Sequence, residues 1–455
     1  MPHLPSRISR TLRLGRLGAR QTTSYALYRA RRATTRTADR EALEARFAIR
    51  STEDVVKELG QMKGVMMKAG QMLSWVAEGL PPEAAAALAS LQADGPPMAP
   101  SLAAKVVESE LGKPPEKLFR TWNPIPVAAA SIGQVHQATL KDGRKVAVKV
   151  QYPGIADAMT ADLGNAEVLY RLFGAFALKG FDAKGVVDEL RARMADELDY
   201  TIEARNQTEF ADRYRDHPFI RIPGVIPELS TSKVLVSEWV DGMSFDQFLA
   251  TADEPTKQKS AEVVFRFAQQ SVHRYLVANG DPHAGNYRFH ADGTVTFLDF
   301  GLVKRFDPDE WASLAPSLDA LVFKRDPELT VRIMEQVGFL TSGHGLPAQD
   351  VWSYVSQPYV PFLEDSFTYE AGWVGVTLRA LLDRTGPYAD VMKSVNMPPS
   401  FVLLDRVVWG VSSLMGRLGA TAPWRSILSE YRFDTAPITE LGMQEAAWRS
   451  DRRES

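Results

Sequence analysis

The sequence predicts an α+β fold of two unequal lobes, a small one built on strands and a larger, mostly helical one. Three observations lead there. In Lys145-Val-Ala-Val-Lys-Val150 the valines alternate with Ala147 and Lys149, the period-two pattern of a strand. From Ala261 the pattern becomes helical, and it returns to helix from residue 310 to about 432, with breaks near Gly343-His-Gly345 and Pro398-Pro399. Between them, Asp281-Pro-His-Ala-Gly-Asn286 and Asp299-Phe-Gly301 are short polar turns, each bracketed by apolar runs. A buried turn of ionisable groups is costly unless something cationic balances it.

The bulk numbers set outer limits. The chain has 455 residues, enough for a large core and two or three structural units. A net charge of −3 argues against a nucleic-acid binder, which needs a strongly basic surface. The absence of cysteine excludes disulfides, thiolate metal sites and a cysteine nucleophile. No run of about 20 apolar residues reads as a spanning helix; Phe401 to Ala420 carries Asp405, Arg406 and Arg417 and reads as a buried amphipathic helix.

Taken in order, residues 1–45 form a flexible basic segment in which Arg7, Arg10, Arg13, Arg16 and Arg20 recur at helical spacing. A solvated tail, a membrane-surface anchor and an organellar transit peptide all fit it. Residues 46–115 read as a helical extension. Ser51-Thr-Glu-Asp54 has the form of a capping box, and Val55, Leu59, Met62, Met66, Ala69, Leu73 and Val76 follow as one apolar stripe. Lys68 and Gln71 share a neighbouring face, with Gly70 between them permitting close backbone approach; a solvated polar edge would look the same. After the Pro81-Pro82 break and the Gly95-Pro-Pro linker, Ser101 to Leu111 reads as a short helix.

Residues 116–240 read as the strand-bearing lobe with a helical insertion. Val127-Ala-Ala-Ala-Ser-Ile-Gly-Gln-Val135 leads to the Asp142-Gly143 hairpin turn and the Lys149 strand, on which Ala147 leaves room for a flat ring. A Lys on such a strand is what protein kinases use to hold the α- and β-phosphates of ATP. The loop lacks G-x-G-x-x-G: alanines stand where glycines would let backbone amides close over phosphates, so it should be stiffer and differently shaped. Asp199, Glu203 and Asn206 share one helical face, and Glu203 is the partner expected for Lys149. Glu197 and Asp199 would point roughly 200° apart on a straight helix, so both can face one cation only if the helix starts or bends there. Lys233 to Val240 alternates into a strand, with Glu238, Trp239 and Val240 offering backbone groups to an adenine edge, as at a hinge.

Residues 241–435 read as the helical lobe. A long helix from Ala261 to Asn279 runs into the polar loop. Asp281 and Asn286 have the five-residue separation of base and metal ligand in H-R-D-x-x-x-x-N, and Asp299-Phe-Gly301 follows as the second metal-holding element does. Phosphoryl transfer is mostly positioning and charge neutralisation, so Asp281 is the expected catalytic group and Asn286 and Asp299 the expected Mg²⁺ ligands. His273 and His283 read as structural. After Gly301 no long activation segment and no Ala-Pro-Glu follows, which argues against a protein substrate. Residues 436–455 read as a polar, frayed tail.

As a set, these motifs resemble the UbiB/AarF family of atypical kinases from Ser51 to Trp424. Lys68-Ala-Gly-Gln71 resembles that family's K-x-G-Q, Ala128-Ala-Ala-Ser-Ile-Gly-Gln134 its alanine-rich nucleotide loop, and Glu197-Leu-Asp199 its E-x-D, with Glu203 and Asn206 in the E-A-x-N that follows. Asp281-Pro-His-Ala-Gly-Asn286 resembles D-P-H-P-G-N, with Ala284 in place of proline. The resemblance implies a protein-kinase-like fold with the N-terminal extension across the cleft, Lys68 meeting the E-x-D carboxylates and Gln71 facing the same site. It implies ATP/ADP and Mg²⁺ between the lobes, with Ala128, Ala129, Ala130, Ser131, Ile132, Gly133, Gln134 and Val135 on the nucleotide. It further implies lipid-linked work in isoprenoid quinone metabolism at a membrane surface, with a prenylquinone precursor or lipid as partner. The location would then be cytoplasmic and peripheral, or organellar if the basic N-terminus is a transit peptide. A nucleotide-gated regulatory protein without transfer, and an antibiotic-phosphotransferase-like kinase, remain as alternatives.

Overall fold

The computed structural model describes residues 98–130, 132–157, 159, 195–383, 385–396 and 399–454. The basic segment, the Lys68–Gln71 helix and Ser131 lie outside the described residues.

The small lobe opens with helix α1 (Pro100–Leu111), followed by strands β1 (Thr121–Trp122), β2 (Ala128–Ala129), β3 (Gly133–Thr139) and β4 (Lys145–Gln151). Helix α2 (Tyr200–Arg213) and the short strand β5 (Ile220–Arg221) precede β6 (Val234–Glu238). The sheet runs β1-β3-β4-β6, with β2 also on β3, and every pairing is antiparallel. Gly143 turns the β3–β4 hairpin at φ +97°, a conformation that suits glycine. Strand alternation sorts the two faces. Val146, Val148 and Val150 join Ala138 and Val236 in a core closed by Ala103 and Val107 of α1. Each such side chain contributes about 1.5–3 kcal/mol. Val135, Ala147 and Lys149 occupy the opposite face, Val135 paired with Lys149.

In the large lobe, helix α3 (Glu254–Tyr275) starts at Asp253, whose side chain accepts from Thr256 N at 3.0 Å. It was expected to continue to Asn279. Instead Leu276 takes a left-handed conformation (φ +52°), and Val277–Asn279 becomes strand β7, paired with β10 (Val303–Arg305). Strands β8 (Tyr287–Phe289) and β9 (Val295–Phe297) form the second hairpin, with β5 parallel to β9. The Asp281 loop thus hangs between β7 and β8, and the Asp299 turn between β9 and β10. Helices α5 (Pro399–Leu418) and α6 (Trp424–Arg432) pack on α3, and α4 (Pro308–Leu318) meets it where Trp311 lies against His273. The segment expected to be helical throughout also holds a small pairing, β11 (Phe367–Thr368) with β12 (Thr421–Ala422). Phe265, Phe267, Phe297, Phe300 and Trp424 share one aromatic core, and Phe210 of α2 reaches into it.

The chain end departs from expectation. Glu440–Glu454 is helix α7, with Leu441 and Glu445 buried. Arg266 of α3 is fully buried and reaches Glu262 and Glu430 at 2.7 Å and Glu445 at 3.3 Å. Trp448 donates to the Arg215 carbonyl at 3.0 Å. Charged residues fix this helix because their partners are buried with them, a signal that a search for apolar periodicity discounts. Among the described residues, no helix is long and apolar enough to cross a membrane.

Candidate active site

Lys149 projects from the middle of β4, held by neighbours on both sides of the sheet. Its Nζ donates to Glu203 Oε1 at 3.0 Å and Oε2 at 2.8 Å, and lies 3.7 Å from Asp299 Oδ2. The Tyr200 ring packs beneath it, 5.0 Å from Nζ to the centroid. Burial opposes the ammonium, but the Glu203 and Asp299 carboxylates outweigh it and raise its pKa well above the usual lysine value. Lys149 therefore stays charged.

Glu203 reaches Lys149 because α2 begins where it does. Asp199 is extended (φ −122°, ψ 97°) and caps the helix, its carboxylate accepting from Thr201 N at 2.9 Å. Glu197 ends a preceding helical segment and is buried. The helix thus starts between Glu197 and the body of α2, so the two acids of E-x-D are not on one straight helix. Asn206, one turn past Glu203, donates to the Phe300 carbonyl at 2.9 Å and accepts from Arg305 at 3.0 Å. Phe300 itself is buried against Phe210, ring centroids 4.8 Å apart.

Below the cleft, Asn286 donates to Asp281 Oδ2 at 3.0 Å and to its carbonyl at 3.1 Å. That leaves the Asn286 carbonyl oxygen as the ligating end of the amide. Asp299 accepts Gly301 N through Oδ1 at 2.9 Å, an Asx turn that fixes the carboxylate. Asn279 joins the two loops: its amide donates to Asp299 O at 2.8 Å and its oxygen accepts from Asp281 N at 3.1 Å. Sequence reading missed Asn279, although its place two residues before the loop aspartate was visible. It also passed over Arg406 as a site residue; this arginine pairs with Asp281 Oδ1 from α5.

The alanine-rich segment is a tight hairpin: Ala128 and Ala129 pair with Val135 and Gln134, and Ala130 N donates to Gly133 O at 2.8 Å. Gly133 has no room for a side chain, since a Cβ would lie 2.4 Å from Val150 O and 2.8 Å from the Tyr200 hydroxyl. Val135 and Ala147 share the Lys149 face. Within the run read as nucleotide-facing, Ile132, Gly133 and Gln134 differ from their neighbours. All three are buried, and the Gln134 amide is spent on Met98 N at 2.9 Å and His136 at 2.9 Å. A strand shows alternate residues to one face, so Gln134 packs with Val150 against α1. At the hinge, Glu238 N and Trp239 N are taken by the carbonyls of Gly224 and Lys145, and Val240 follows the strand half-buried.

Glu203 and Asp299 stand against Lys149, Asp281 against Arg406, and Glu197 is near enough to raise the Glu203 pKa, so carboxylates outnumber the cations around them. Among the described residues there is no cluster of three or more His, Cys, Asp or Glu able to hold a metal by itself. Asn286 and Asp299 offer hard oxygen donors. That set suits Mg²⁺, which binds one or two carboxylates and completes its shell with water and substrate phosphates.

Comparison with known proteins places this geometry among relatives. The family model described as the ABC1 atypical kinase-like domain matches residues 90–334, more than half of the chain. Protein ACTIVITY OF BC1 COMPLEX KINASE 1, chloroplastic, of Arabidopsis thaliana is 35% identical over 261 residues, covering 56% of this chain and 38% of that protein. An uncharacterised chloroplastic aarF domain-containing protein kinase of the same plant is 31% identical over 435 residues, covering 91% of this chain and 59% of its own. Atypical kinase COQ8B, mitochondrial, of Rattus norvegicus is 33% identical over 258 residues, 56% of this chain and 48% of that one. The chain thus spans 38–59% of the length of these three. A solved structure, that of the Rv3197–erythromycin complex from Mycobacterium tuberculosis, matches with TM-score 0.60 and 31% identity over 82% of this chain and 93% of that one.

Proposed function

This chain belongs to the ABC1 (AarF-domain) atypical kinase family, with its kinase-like fold, and from that membership we propose that it binds Mg-ATP between its lobes and hydrolyses it or transfers its phosphoryl group to a small molecule. The observation that carries the reading is the Lys149–Glu203 ion pair at 2.8 Å with Asp299 at 3.7 Å, facing the Asp281–Asn286 loop.

In this reading Lys149, aligned by Glu203, binds the α- and β-phosphates. Asn286 and Asp299 hold Mg²⁺, which when bound neutralises charge on the phosphates. Asp281 orients the attacking hydroxyl or water. Ala147 and Val135 form the apolar floor for the base, and the hairpin from Ala128 to Gly133 covers the phosphates without a glycine-rich loop. Only six residues separate Gly301 from the start of α4 at Pro308, leaving no platform for a peptide substrate. We propose that it works at a membrane surface, on a prenylquinone precursor or another lipid; the family resemblance supports that setting, and the similarity to the atypical kinase COQ8B, mitochondrial, is in keeping with an organellar location.

A second reading, small-molecule phosphotransfer of the antibiotic kind, draws on the likeness to Rv3197, solved in complex with erythromycin. A third, nucleotide-gated docking without transfer, predicts nucleotide-dependent melting shifts with background turnover. The experiment that tests the proposal is Mg-ATP turnover of the full chain, with and without anionic liposomes and a quinone-like phenol, beside Asp299→Asn. ADP release that rises with lipid or phenol and vanishes in the variant is expected. Turnover equal in both proteins would refute it.

A further inference from the structure

We infer that Arg406 is a positioning residue for Asp281, fixing the plane of its carboxylate from a helix remote in sequence. The inference rests on the phosphoryl-transfer reading above.

Among the contacts that hold Asp281, three bear on the argument. Asn279 holds its backbone amide at 3.1 Å, Asn286 holds Oδ2 at 3.0 Å, and the Arg406 guanidinium holds Oδ1. The first two belong to the same stretch of chain. The third arrives from 125 residues away, on α5. Arg406 is 5% exposed, and its second terminal nitrogen, Nη1, has no hydrogen-bond partner.

That orphan nitrogen speaks to purpose. A buried guanidinium with an unpaired donor is costly, and an apolar side chain of similar size is often as good or better for stability. Helix α5 is nevertheless fitted to this loop on two successive turns. Gly410, one turn beyond Arg406, lies so close to Pro282 that a Cβ would stand 2.4 Å from its Cγ. Val407 and Val411 on the same helix anchor it in the core. The glycine lets α5 approach the loop, and the approach delivers the guanidinium to Asp281. Lys149, Glu203 and Asp299 are held by other partners, and Asn286 keeps its bond to the Asp281 carbonyl at 3.1 Å, so nucleotide binding should survive loss of the Arg406 contact.

Arg406→Met and Arg406→Lys, made in the full chain, test it. For Arg406→Met, kcat for Mg-ATP turnover should fall at least tenfold, since small misplacements of a reacting group cost on that scale. KM for ATP should stay within twofold, and nucleotide should still bind at one per chain. Arg406→Lys should lie between, because a single ammonium restores charge without the planar fork. A kcat within twofold of wild type in both variants would overturn the inference. So would a drop in binding stoichiometry that accounts for the lost rate, which would mark a purely structural role. If Arg406→Met does not fold, Arg406→Lys alone decides by the same kcat criterion. Absence of Mg-ATP turnover in the wild-type chain is a separate outcome, and it would overturn the underlying reading together with this inference.

Discussion

Asn206 donates its side-chain amide to the carbonyl of Phe300 at 2.9 Å, joining α2 to the Asp299-Phe-Gly turn across 94 residues of sequence. The helix that carries Glu203 and the turn that carries Asp299 are therefore one mechanical unit. Asn206→Leu removes the donor, leaves the Phe300 carbonyl buried without it, and strips Arg305 of an acceptor. The expected outcome is a loss of roughly 1–3 kcal/mol in urea unfolding. Nucleotide affinity should weaken at the same time, as Glu203 and Asp299 lose their common reference. Unaltered nucleotide affinity would show that the two elements are set independently.

Lys149→Met should do more than remove a phosphate contact. It would leave Glu203, whose carboxyl burial already pushes up to about 7 against the pull of Lys149, without its counter-charge. Breaking a buried pair from one side typically costs about 3–5 kcal/mol, the upper range for a lysine that keeps some solvent contact. The double variant Lys149→Met/Glu203→Gln should regain much of that stability, though not nucleotide binding. Thermal melting of the three proteins checks it; additive losses would mean that the two side chains do not depend on each other.

His217 gives the chain an acid-sensitive joint under α7. Its Nδ1 accepts from Ile220 N at 3.1 Å, and the Trp448 ring lies 4.4 Å away. Burial, helped by Arg266, Arg449 and Arg452, lowers its pKa to about 3. Unfolding releases it to an ordinary value near 6.5, so the unfolded state binds the extra proton between those limits. Stability from this group is complete above about pH 7 and declines as pH falls, by about 2 kcal/mol at pH 5. His217→Asn, which can keep the acceptor, should flatten that slope when unfolding free energy is compared at pH 7 and pH 5. An undiminished slope would assign the acid sensitivity to other groups.

Much of this arrangement was readable beforehand, and the reasons differ by element. The Lys149 strand was legible because alternation is local, and its face follows from one residue. The same rule, applied one strand earlier, would have separated Val135 from Gln134; treating residues 128–135 as one loop hid it. Arg406 was not legible as a partner of Asp281, nor Asn279 as a donor to Asp299, because those contacts are set by how α5 and β7 pack. The Asn279–Asp281 contact alone lay within reach of spacing in the chain. Helix α7 was misread because Glu445 finds its partner, Arg266, 179 residues away. The E-x-D geometry was posed correctly as a question, and the extended Asp199 answered it.

If Asp299, Asn286 and Lys149 together hold a magnesium nucleotide, its affinity must depend both on Mg²⁺ and on Asp299. Calorimetric titration of ADP and a non-hydrolysable ATP analogue, with Mg²⁺ and again with EDTA, tests it directly on the wild-type chain and Asp299→Asn. Binding at least tenfold tighter with Mg²⁺ in the wild type, with that gain abolished in the variant, is the predicted result. Nucleotide affinity indifferent to Mg²⁺, or the same gain in both proteins, would contradict it.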